Sequence, residues 1–471
     1  MAPTGPFARL DSAAPAPAPL FPFDAGSGEQ SGPLSAVGIV GGGQLAGMLA
    51  EAATALGVAL HVQTPSADDP AAPHAASLVL APIDDISGTR ELARRCGAIS
   101  FENEWIPLDA LEQLAADGVR FVPGLHALRP LVCKRSQRQL LDDLHLPCPR
   151  WCPLEAVFSS WDGEQDKSIT GSGPSPATPG AAGNAAPGSL AAAAADPAAP
   201  RLPEGFHFPV MAKAATGGYD GKGTRPLRCQ ADLEALLQAV DPATWILEEM
   251  VAFSSELALV ACRDRLGNVA CYPLVQTHQH QQVCDWVQFP APVDHGARAF
   301  ARNVAASLLT ALDYVGVLSI EFFYGPQGLQ VNELAPRTHN SGHYTIEASA
   351  CSQFEQQLRI VAGLPMGSPE PRVPAALMVN LLGFESRGAS GEVLSDLDAD
   401  PDPDASRRRA LEALPGAHLH WYGKQGSRPG RKLGHITLLL EGGSAGELER
   451  QRQERLELVR AIWPLPATTA P

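Results

Sequence analysis

The sequence predicts a chain of mixed α/β and α+β class, in which a Rossmann-like parallel-sheet domain precedes a larger domain and a small β-rich C-terminal domain. Short apolar strands alternate with helices between residues 36 and 101, which is the pattern of a parallel sheet. Two apolar runs, 317–324 and 329–334, flank a Gly-Pro-Gln-Gly turn and predict a β-hairpin. Further apolar runs after residue 371 predict the strands of the C-terminal domain.

Composition and charge limit the classes of partner. The chain has 471 residues, of which 45% are hydrophobic, and is long enough for several domains with sizeable cores. Its formal net charge is −16. We therefore expect no nucleic acid and no membrane to be bound through bulk positive charge. An anionic small-molecule substrate would need local Lys and Arg side chains.

Cysteine usage and the start of the chain predict a cytoplasmic protein. The 9 cysteines form no CxxC pair and show no metal-ligand spacing, which favours reduced thiols in an intracellular enzyme. No apolar run is long enough to cross a membrane, and the first residues lack the basic and apolar regions of a signal peptide.

Breaks in composition divide the chain. Residues 1–35 are rich in Pro, Ala, Gly and Ser and predict a disordered extension. An N-terminal α/β domain over 36–133, a central domain over 134–370 and a C-terminal domain over 371–471 follow. A second stretch of similar composition, 159–203, predicts a disordered insertion in the central domain.

A glycine turn follows the first strand. Residues 41–44 read Gly-Gly-Gly-Gln before a helix predicted over 45–56, as in dinucleotide-binding folds. That fingerprint also requires an acidic residue at the end of the second strand, and the strand ending at Thr64 has none. We therefore expect the turn to contact a different ligand, or simply to pack the helix on the sheet, rather than to bind NAD.

The acidic segment Phe101-Glu102-Asn103-Glu104 follows the fourth predicted strand. Open α/β sheets bind ligands at the carboxyl ends of their strands, which would place this segment at a ligand-binding edge. The same acids are also favourable at the N-terminus of the helix that begins near Pro107. Both interpretations stay open on sequence position alone.

A lysine beside a glycine loop predicts a phosphate site. The strand 208–212 leads into Lys213, and four glycines follow between residues 217 and 223. Such a loop lets backbone N–H groups fold over phosphates, and the lysine can bridge phosphate oxygens. The spacing is not that of a Walker A loop. The alternative is a solvent-exposed hairpin turn.

The predicted hairpin brings two carboxylates together. With its turn near Pro326 and Gln327, Glu321 lies opposite Asn332 and Glu333. Opposed carboxylates repel unless a cation lies between them, and hard oxygen ligands suit Mg²⁺, or Mn²⁺ in its place. The alternative, solvated edge charges, is disfavoured by the apolar neighbours of both carboxylates.

A polar cluster and a basic loop accompany the hairpin. Arg337 and His339 follow its second strand, in a polar run that a buried strand end would not need. Lys424 and Arg431 are two of four cations within the loop 424–432. In an acidic protein this loop is either a site for a substrate phosphate or a solvated turn.

Taken together, these segments resemble one family. The N5-carboxyaminoimidazole ribonucleotide synthetases (phosphoribosylaminoimidazole carboxylase ATPase subunits) of the ATP-grasp superfamily have motifs similar to VGIVGGGQLAGML, FENE, ATGGYDGKG, VNELAPRTHNSGHYTIE and WYGKQGSRPGRKLGHI. The resemblance covers residues 36 to about 440, apart from the insertion. It implies an ATP-grasp fold, ATP-dependent carboxylation of 5-aminoimidazole ribonucleotide with bicarbonate in purine biosynthesis, and a homodimer.

The resemblance also implies roles for individual residues. Glu321 and Glu333 would be the magnesium ligands, Arg337 would hold bicarbonate or carboxyphosphate, and either His339 or Asp220 would be the general base. ATP would be bound by Lys134, Lys213, Gly218, Tyr219, Asp220, Gly221, Lys222, Gly223, Glu248, Glu249, Met250, Val251, Glu256, Gln279, Asn332 and Glu333. The bicarbonate and ribonucleotide site would comprise Glu102, Tyr219, Asp220, Lys222, Arg337, His339, Lys424 and Arg431.

Some residues depart from the family pattern. Cys133 precedes Lys134 where Asp-Arg is more common, Thr224 ends the glycine loop in place of Gln or Asn, and a family histidine falls on Gln279. No departure removes a carboxylate or the Arg-His pair, so we expect an active ATP-dependent carbon-nitrogen ligase. The alternatives are another ATP-grasp carboxylate ligase of the biotin-carboxylase type and a catalytically silent nucleotide-binding protein.

Overall fold

The structure, a computed structural model, describes residues 32–158, 200–218, 223–384, 404–424 and 426–466. Positions 1–31 of the predicted extension and 159–199 of the predicted insertion lie outside these residues. The helices in the described parts of the chain are α1 (Gln44–Leu56), α2 (Ile86–Ala93), α3 (Leu108–Ala116), α4 (Leu125–Leu128), α5 (Lys134–Asp143), α6 (Gln230–Ala239), α7 (His295–Ala311), α8 (Thr345–Ala348), α9 (Gln353–Ala362), α10 (Ala405–Glu412) and α11 (Ala445–Ile462). The strands are β1 (Ala36–Val40), β2 (Ala59–Thr64), β3 (Ser77–Leu80), β4 (Ile99–Phe101), β5 (Trp151–Pro153), β6 (Val210–Ala214), β7 (Thr224–Leu227), β8 (Trp245–Glu249), β9 (Ser255–Arg263), β10 (Val269–Cys271), β11 (Val275–His280), β12 (Val283–Phe289), β13 (Gly316–Gly325), β14 (Gly328–Ala335), β15 (Ala375–Leu382), β16 (Ala417–Trp421) and β17 (Lys432–Leu440).

The first four strands form a parallel sheet in the order β3-β2-β1-β4. Helix α1 buries a face of small residues that includes Ala46, Ala50 and Ala53, so it packs closely on its neighbours. Val40 pairs with Phe101, and the carboxyl ends of β1 and β4 therefore lie side by side. The parallel sheet predicted from the alternation of strands and helices is confirmed, and its edge brings the glycine turn next to the acidic segment.

A small antiparallel sheet carries Lys213. Its strands follow the order β5-β8-β6-β7, and Lys213 pairs with Ile246 on one side and with Thr224 on the other. Leu233 and Leu236 of α6 belong to the core that covers this sheet. The backbone of Lys213 is therefore fixed between two strands, which gives its side chain a defined origin.

The largest sheet has nine strands and runs through the centre of the molecule. Its order is β14-β13-β9-β11-β12-β15-β17-β16, with β10 paired to β9. Val287 of β12 pairs with Met378 of β15, so the strands after residue 371 continue the central sheet instead of forming a sheet of their own. Trp463, which is fully buried, donates from its indole N–H to the carbonyl of Leu382 at 2.9 Å.

Among the described residues, no helix is both long enough and apolar enough to cross a membrane.

Most predicted elements are present, with ends shifted by a few residues; the helix predicted over 45–56, for example, spans Gln44–Leu56. The strands β7, β10 and β12 and the helices α4, α8 and α10 were not predicted from the sequence. Strand β12 alternates buried and half-buried residues along VCDWVQF, a period-2 signal hidden by the buried Asp285. Strand β7 and helix α10 carry polar and charged sequences, TRPL and ASRRRALE, whose structure depends on tertiary pairing.

The turn between β11 and β12 has an unusual backbone. His280 pairs with Val283, which leaves a two-residue turn, Gln281-Gln282, with φ of +50° and +66°. Two left-handed residues define a type I′ turn, for which Asn-Gly is preferred because a Cβ is unfavourable there.

We expect Gln282→Gly to stabilise the protein by about 1 kcal/mol, because glycine adopts the left-handed region without steric cost. The thermal unfolding midpoint, measured by differential scanning calorimetry, should rise. The matched variant Gln276→Gly replaces a residue in the extended strand β11 and should lower it. An unchanged or lower midpoint for Gln282→Gly would show that this turn stores no backbone strain.

Candidate active site

Two carboxylates face each other across the hairpin of β13 and β14. Glu321 pairs with Glu333, and a β-bulge follows between Glu321 and Phe322. The predicted juxtaposition of the two carboxylates is confirmed. Burial, together with the negative charges of Glu333 and Glu256, raises the pKa of Glu321 to about 7. A cation placed between the two side chains would relieve this repulsion.

Two lysines lie beside this pair. Lys134 Nζ is 2.9 Å from Glu333 Oε1. Burial alone would raise the pKa of Glu333, but Lys134, and to a lesser extent Lys213, lower it below its usual value. Lys213 Nζ donates to Asn332 Oδ1 at 3.2 Å, and Asn332 Nδ2 donates to Glu321 Oε2 at 3.4 Å. These five residues, all predicted from the sequence, therefore form one cluster.

A buried ion network lies beneath the lysines. Glu248 is 1% exposed, and its carboxylate lies 2.7 Å from Arg138 Nε and 2.7 Å from Lys213 Nζ. Burial alone would raise the pKa of Glu248, but the two cations lower it to about 2. Arg138 Nη2 also donates to the carbonyl of Asn332 at 2.6 Å, which fixes β14 next to the carboxylates.

Arg337 is held by a carboxylate from the N-terminal sheet. Its Nε lies 2.7 Å from Glu104 Oε2, and its Nη1 donates to the carbonyl of Thr338 at 3.1 Å. Burial disfavours the charged guanidinium, but Glu104 raises the pKa of Arg337 above its ordinary value. The pair joins the acidic segment after β4 to the polar cluster after β14.

Glu102 caps helix α1. Its carboxylate accepts hydrogen bonds from the backbone N–H groups of Gly43, Leu45 and Ala46 at 2.6, 3.1 and 3.4 Å. A Cβ on Gly43 would lie 2.5 Å from Glu102 Oε1, so the close approach requires glycine. The interpretation that Glu102 supports the helix near Pro107 is wrong, because α3 has no side-chain cap and Glu102 lies against α1. The glycine turn therefore binds a carboxylate of this chain.

His339 lies next to the carboxylate pair. Its Nε2 is 3.6 Å from Glu321 Oε1, and its Nδ1 is 3.3 Å from the backbone N–H of Ser341 and 3.0 Å from Ser341 Oγ. Both ring nitrogens therefore have polar neighbours, and one edge of the imidazole faces the cluster of carboxylates.

The basic loop reaches both the N-terminal domain and the hairpin. Lys424 Nζ donates to Gln44 Oε1 at 2.6 Å and to the carbonyl of Lys432 at 3.1 Å. The charge of Lys432 opposes the rise in the pKa of Glu321, which places it near the carboxylates. Arg431 Nη1 donates to the carbonyl of Gly426 at 3.1 Å, within the loop itself.

The other predicted nucleotide contacts lie at or near the ends of strands β8, β9 and β11. Glu249 ends β8, and Met250, which is 41% exposed, and Val251 follow it. Burial raises the pKa of Glu256 in β9. Gln279 lies in β11 after a β-bulge.

The glycine loop falls partly outside the described residues. Gly218 and Gly223 border the segment and are described, whereas Tyr219, Asp220, Gly221 and Lys222, for which nucleotide or substrate contacts are predicted, lie outside.

The donor set of the hairpin suits a magnesium ion. Glu321, Glu333 and Asn332 present hard oxygen atoms from opposed strands. In the parts of the chain that the structure describes, no three His, Cys, Asp or Glu side chains are arranged to hold a metal ion by themselves. Mg²⁺ does not need such a cage, because it typically takes one or two carboxylates and completes its shell with water and phosphate oxygens.

Sequence reasoning missed three residues of the cluster: Arg138, Glu104 and Lys432. Arg138 follows Lys134 at i+4 spacing on α5, which is a readable signal that both side chains share a face. Glu104 and Lys432 stand in motifs that the sequence analysis singled out, but their contacts depend on how separate sheets meet. Sequence spacing carries no signal for those contacts.

Three family models match the chain. The model described as "ATP-grasp domain" matches residues 182–354, "Ribonucleotide synthetase preATP-grasp domain" matches 34–131, and "Phosphoribosylaminoimidazole carboxylase C-terminal domain" matches 376–450. The parallel N-terminal sheet, the two antiparallel sheets and the cluster between them therefore define an ATP-grasp enzyme.

Proteins related in sequence identify the family within the ATP-grasp enzymes. An N5-carboxyaminoimidazole ribonucleotide synthase of Synechococcus elongatus is 45% identical over 436 residues, which cover 93% of this chain and 97% of that protein. A synthase of the same name from Pseudomonas aeruginosa is 33% identical over 402 residues, covering 85% of this chain and 94% of that protein. The chain belongs to the N5-carboxyaminoimidazole ribonucleotide synthase family.

Solved structures of synthases with this name are similar to this structure. N5-carboxyaminoimidazole ribonucleotide synthetase from Thermus thermophilus shares 29% identity with a TM-score of 0.70, covering 92% of this chain and 99% of that one. The Aspergillus clavatus synthase, solved in complex with ADP and 5-aminoimidazole ribonucleotide, shares 27% identity with a TM-score of 0.71, covering 91% and 99%.

We expect Glu248→Gln to destabilise the protein by about 3–5 kcal/mol, because it leaves Arg138 and Lys213 as buried charges without their carboxylate. Chemical denaturation at pH 7 measures the loss. The adjacent control Glu249→Gln removes a partly exposed surface partner of Arg150 and should cost less than about 1 kcal/mol.

The carboxylate of Glu248 also predicts how the stability of the protein depends on pH. Because the folded pKa of Glu248 lies below its unfolded value, its contribution is present above about pH 4.5 and is lost as the pH falls toward 2. The stability difference between the native protein and Glu248→Gln should shrink over that range. A difference independent of pH would contradict the buried ion network.

Proposed function

We propose that this chain catalyses the ATP-dependent carboxylation of 5-aminoimidazole ribonucleotide with bicarbonate, a step of de novo purine biosynthesis. The products are N5-carboxyaminoimidazole ribonucleotide, ADP and phosphate. The observation that carries the proposal is the opposed pair Glu321 and Glu333, bracketed by Lys134 and His339, in a chain of this synthase family.

The nucleotide end of the site binds ATP. Lys134 and Lys213 bring positive charge to the phosphates, and the glycine loop that starts at Gly218 covers them. Residues 248–251 meet the adenine through backbone groups, and Glu256 meets the ribose. Gln279, Asn332 and Gly223 complete this end of the site. The pairing of Lys213 with Glu248 and Asn332 supports this arrangement, because it holds the ammonium group beside the hairpin.

Glu321 and Glu333 hold Mg²⁺, which Mn²⁺ can replace. When bound, the ion neutralises phosphate charge and aligns the transferred phosphoryl group. The two side chains contribute four oxygen atoms on opposed strands. The pKa of Glu321 is raised first by burial and then by repulsion from Glu333 and Glu256, and a divalent ion would offset that repulsion. Lys134, 2.9 Å from Glu333 Oε1, neutralises part of the negative charge of the pair.

The carboxylation end uses the polar cluster. A bicarbonate oxygen attacks the γ-phosphorus and ADP leaves, and the carboxyphosphate formed is held by Arg337. The exocyclic amine then attacks the carbonyl carbon, phosphate leaves, and the amine proton passes to a base, His339 or Asp220. Glu102, Tyr219, Lys222, Lys424 and Arg431 complete the substrate site.

The proposal also includes the oligomeric state, the cellular compartment and the domain boundaries. The protein is a cytoplasmic homodimer, divided at residues 133 and 370 into N-terminal, ATP-grasp and C-terminal domains. The family relationship supports the dimer, and the chemistry requires the small-molecule substrates ATP, bicarbonate and 5-aminoimidazole ribonucleotide.

An ADP-release assay with Mg²⁺ tests the reaction. We expect release to rise when 5-aminoimidazole ribonucleotide and bicarbonate are supplied together, and to fall by roughly 100-fold in Glu333→Gln because a metal ligand and the partner of Lys134 are both weakened. Glu370→Gln changes an exposed carboxylate outside the cluster and should leave release unchanged.

The same assay separates the alternatives. ADP release that is indifferent to the ribonucleotide would contradict the substrate and favour another ATP-grasp carboxylate ligase. No ADP release under any combination of substrates would identify a catalytically silent protein.

A second prediction concerns the phosphate of the ribonucleotide. Lys424→Glu and Arg431→Glu should raise the KM for the ribonucleotide by about 10-fold or more, while the KM for ATP changes by less than about twofold, because a reversed charge repels the phosphate directly. Arg450→Glu makes the same change on the exposed face of α11 and should alter neither constant. Equal effects on both KM values would count against the phosphate role of this loop.

A further inference from the structure

The side-chain amide of Gln353 holds the backbone of His339 on both sides. Gln353 is fully buried at the start of α9. The N–H of His339 donates to Gln353 Oε1 at 2.9 Å, and Gln353 Nε2 donates to the carbonyl of His339 at 2.7 Å. A paired contact of this kind fixes the position and the direction of the residue it holds.

The loop after His339 is built around this amide. A Cβ on Gly342 would lie 2.5 Å from Gln353 Oε1 and 2.6 Å from its Cδ, so the amide occupies the space that a side chain there would fill. Thr345 Oγ1 accepts from the backbone N–H of Gln353 at 3.0 Å, and His343 Nδ1 lies 3.4 Å from Gln353 Nε2. The amide is therefore confined on several sides.

The held backbone places the imidazole of His339 between Ser341 and the carboxylate pair. Its Nδ1 lies 3.0 Å from Ser341 Oγ and 3.3 Å from the backbone N of Ser341. Its Nε2 lies 3.6 Å from Glu321 Oε1. Fixing the backbone of His339 therefore directs the Nε2 edge of the ring toward the carboxylate pair.

We propose that Gln353 is a positioning residue that holds the backbone of His339 so that the Nε2 edge of its imidazole is aimed at the reaction centre. This inference rests on the proposed function. The orientation of His339 matters there whether it acts as the base or stabilises charge on the carboxyl group being transferred.

Helix α9 offers a matched comparison. Gln356 is also fully buried, but its Oε1 accepts from the N–H of Gly367 at 2.8 Å and its Nε2 lies against Cys262, away from His339. Gln353 and Gln356 thus have the same side chain, helix and burial, and differ in whether the amide holds His339.

The first test compares Gln353→Met with Gln356→Met. Both remove a buried amide, and both should lower the thermal unfolding midpoint. Only Gln353→Met should lower the kcat of ribonucleotide-dependent ADP release, by about 10- to 100-fold, with the KM for ATP changed less than about twofold, because His339 loses its orientation. Equal losses of kcat in the two variants would overturn the proposal.

Gly342→Ala perturbs the same contact without removing the amide. The added methyl group displaces Gln353 from His339, and we expect the same fall in kcat with the KM for ATP retained. A wild-type kcat in this variant, with the protein folded, would overturn the proposal.

A failure of this inference is distinguishable from a failure of the proposed function. The proposed function fails if the wild-type protein shows no ribonucleotide-dependent ADP release. The inference fails if the wild-type protein is active but Gln353→Met and Gln356→Met lose the same kcat.

Discussion

Two negative charges held opposite each other on adjacent antiparallel strands are the constraint on which this site depends. The register of β13 and β14 pairs Glu321 with Glu333, and the resulting repulsion favours a positive charge at that point. Lys134 neutralises one carboxylate, while burial and two neighbouring acids leave the other with a raised pKa. The divalent ion and the phosphates that we propose for this site would therefore meet charges that are already held in place.

The surrounding framework fixes each charge from a different element. Arg138 of α5 and Lys213 of β6 meet at the buried Glu248 of β8, and Arg138 also bonds to the backbone of β14. The same helix therefore supplies Lys134 to the carboxylates and Arg138 to the ion network beneath them. Buried ion networks of this kind are costly to break, so the relative positions of three elements are coupled.

The N-terminal sheet contributes through its acidic segment. Glu102 accepts hydrogen bonds from the N-terminal amides of α1, and Glu104 forms an ion pair with Arg337. Two acids two residues apart thus contact a helix of the N-terminal domain and the polar cluster after β14. Burial raises the pKa of Glu102 although the helix amides and Arg337 favour its charged form. In the loop after β14, the side-chain amide of Gln353 holds the backbone of His339.

The sequence by itself determined the parallel N-terminal sheet, the hairpin and the facing of Glu321 and Glu333, because these follow from local periodicity and from a tight turn. It also indicated Lys134, Lys213, Arg337 and His339 through their motifs. Only the tertiary structure decided that Glu102 caps α1, that Lys432 lies near Glu321, that Glu104 holds Arg337 and that Gln353 holds His339. Those contacts join segments that are separate in sequence, and they depend on how sheets and loops pack, which no local pattern encodes.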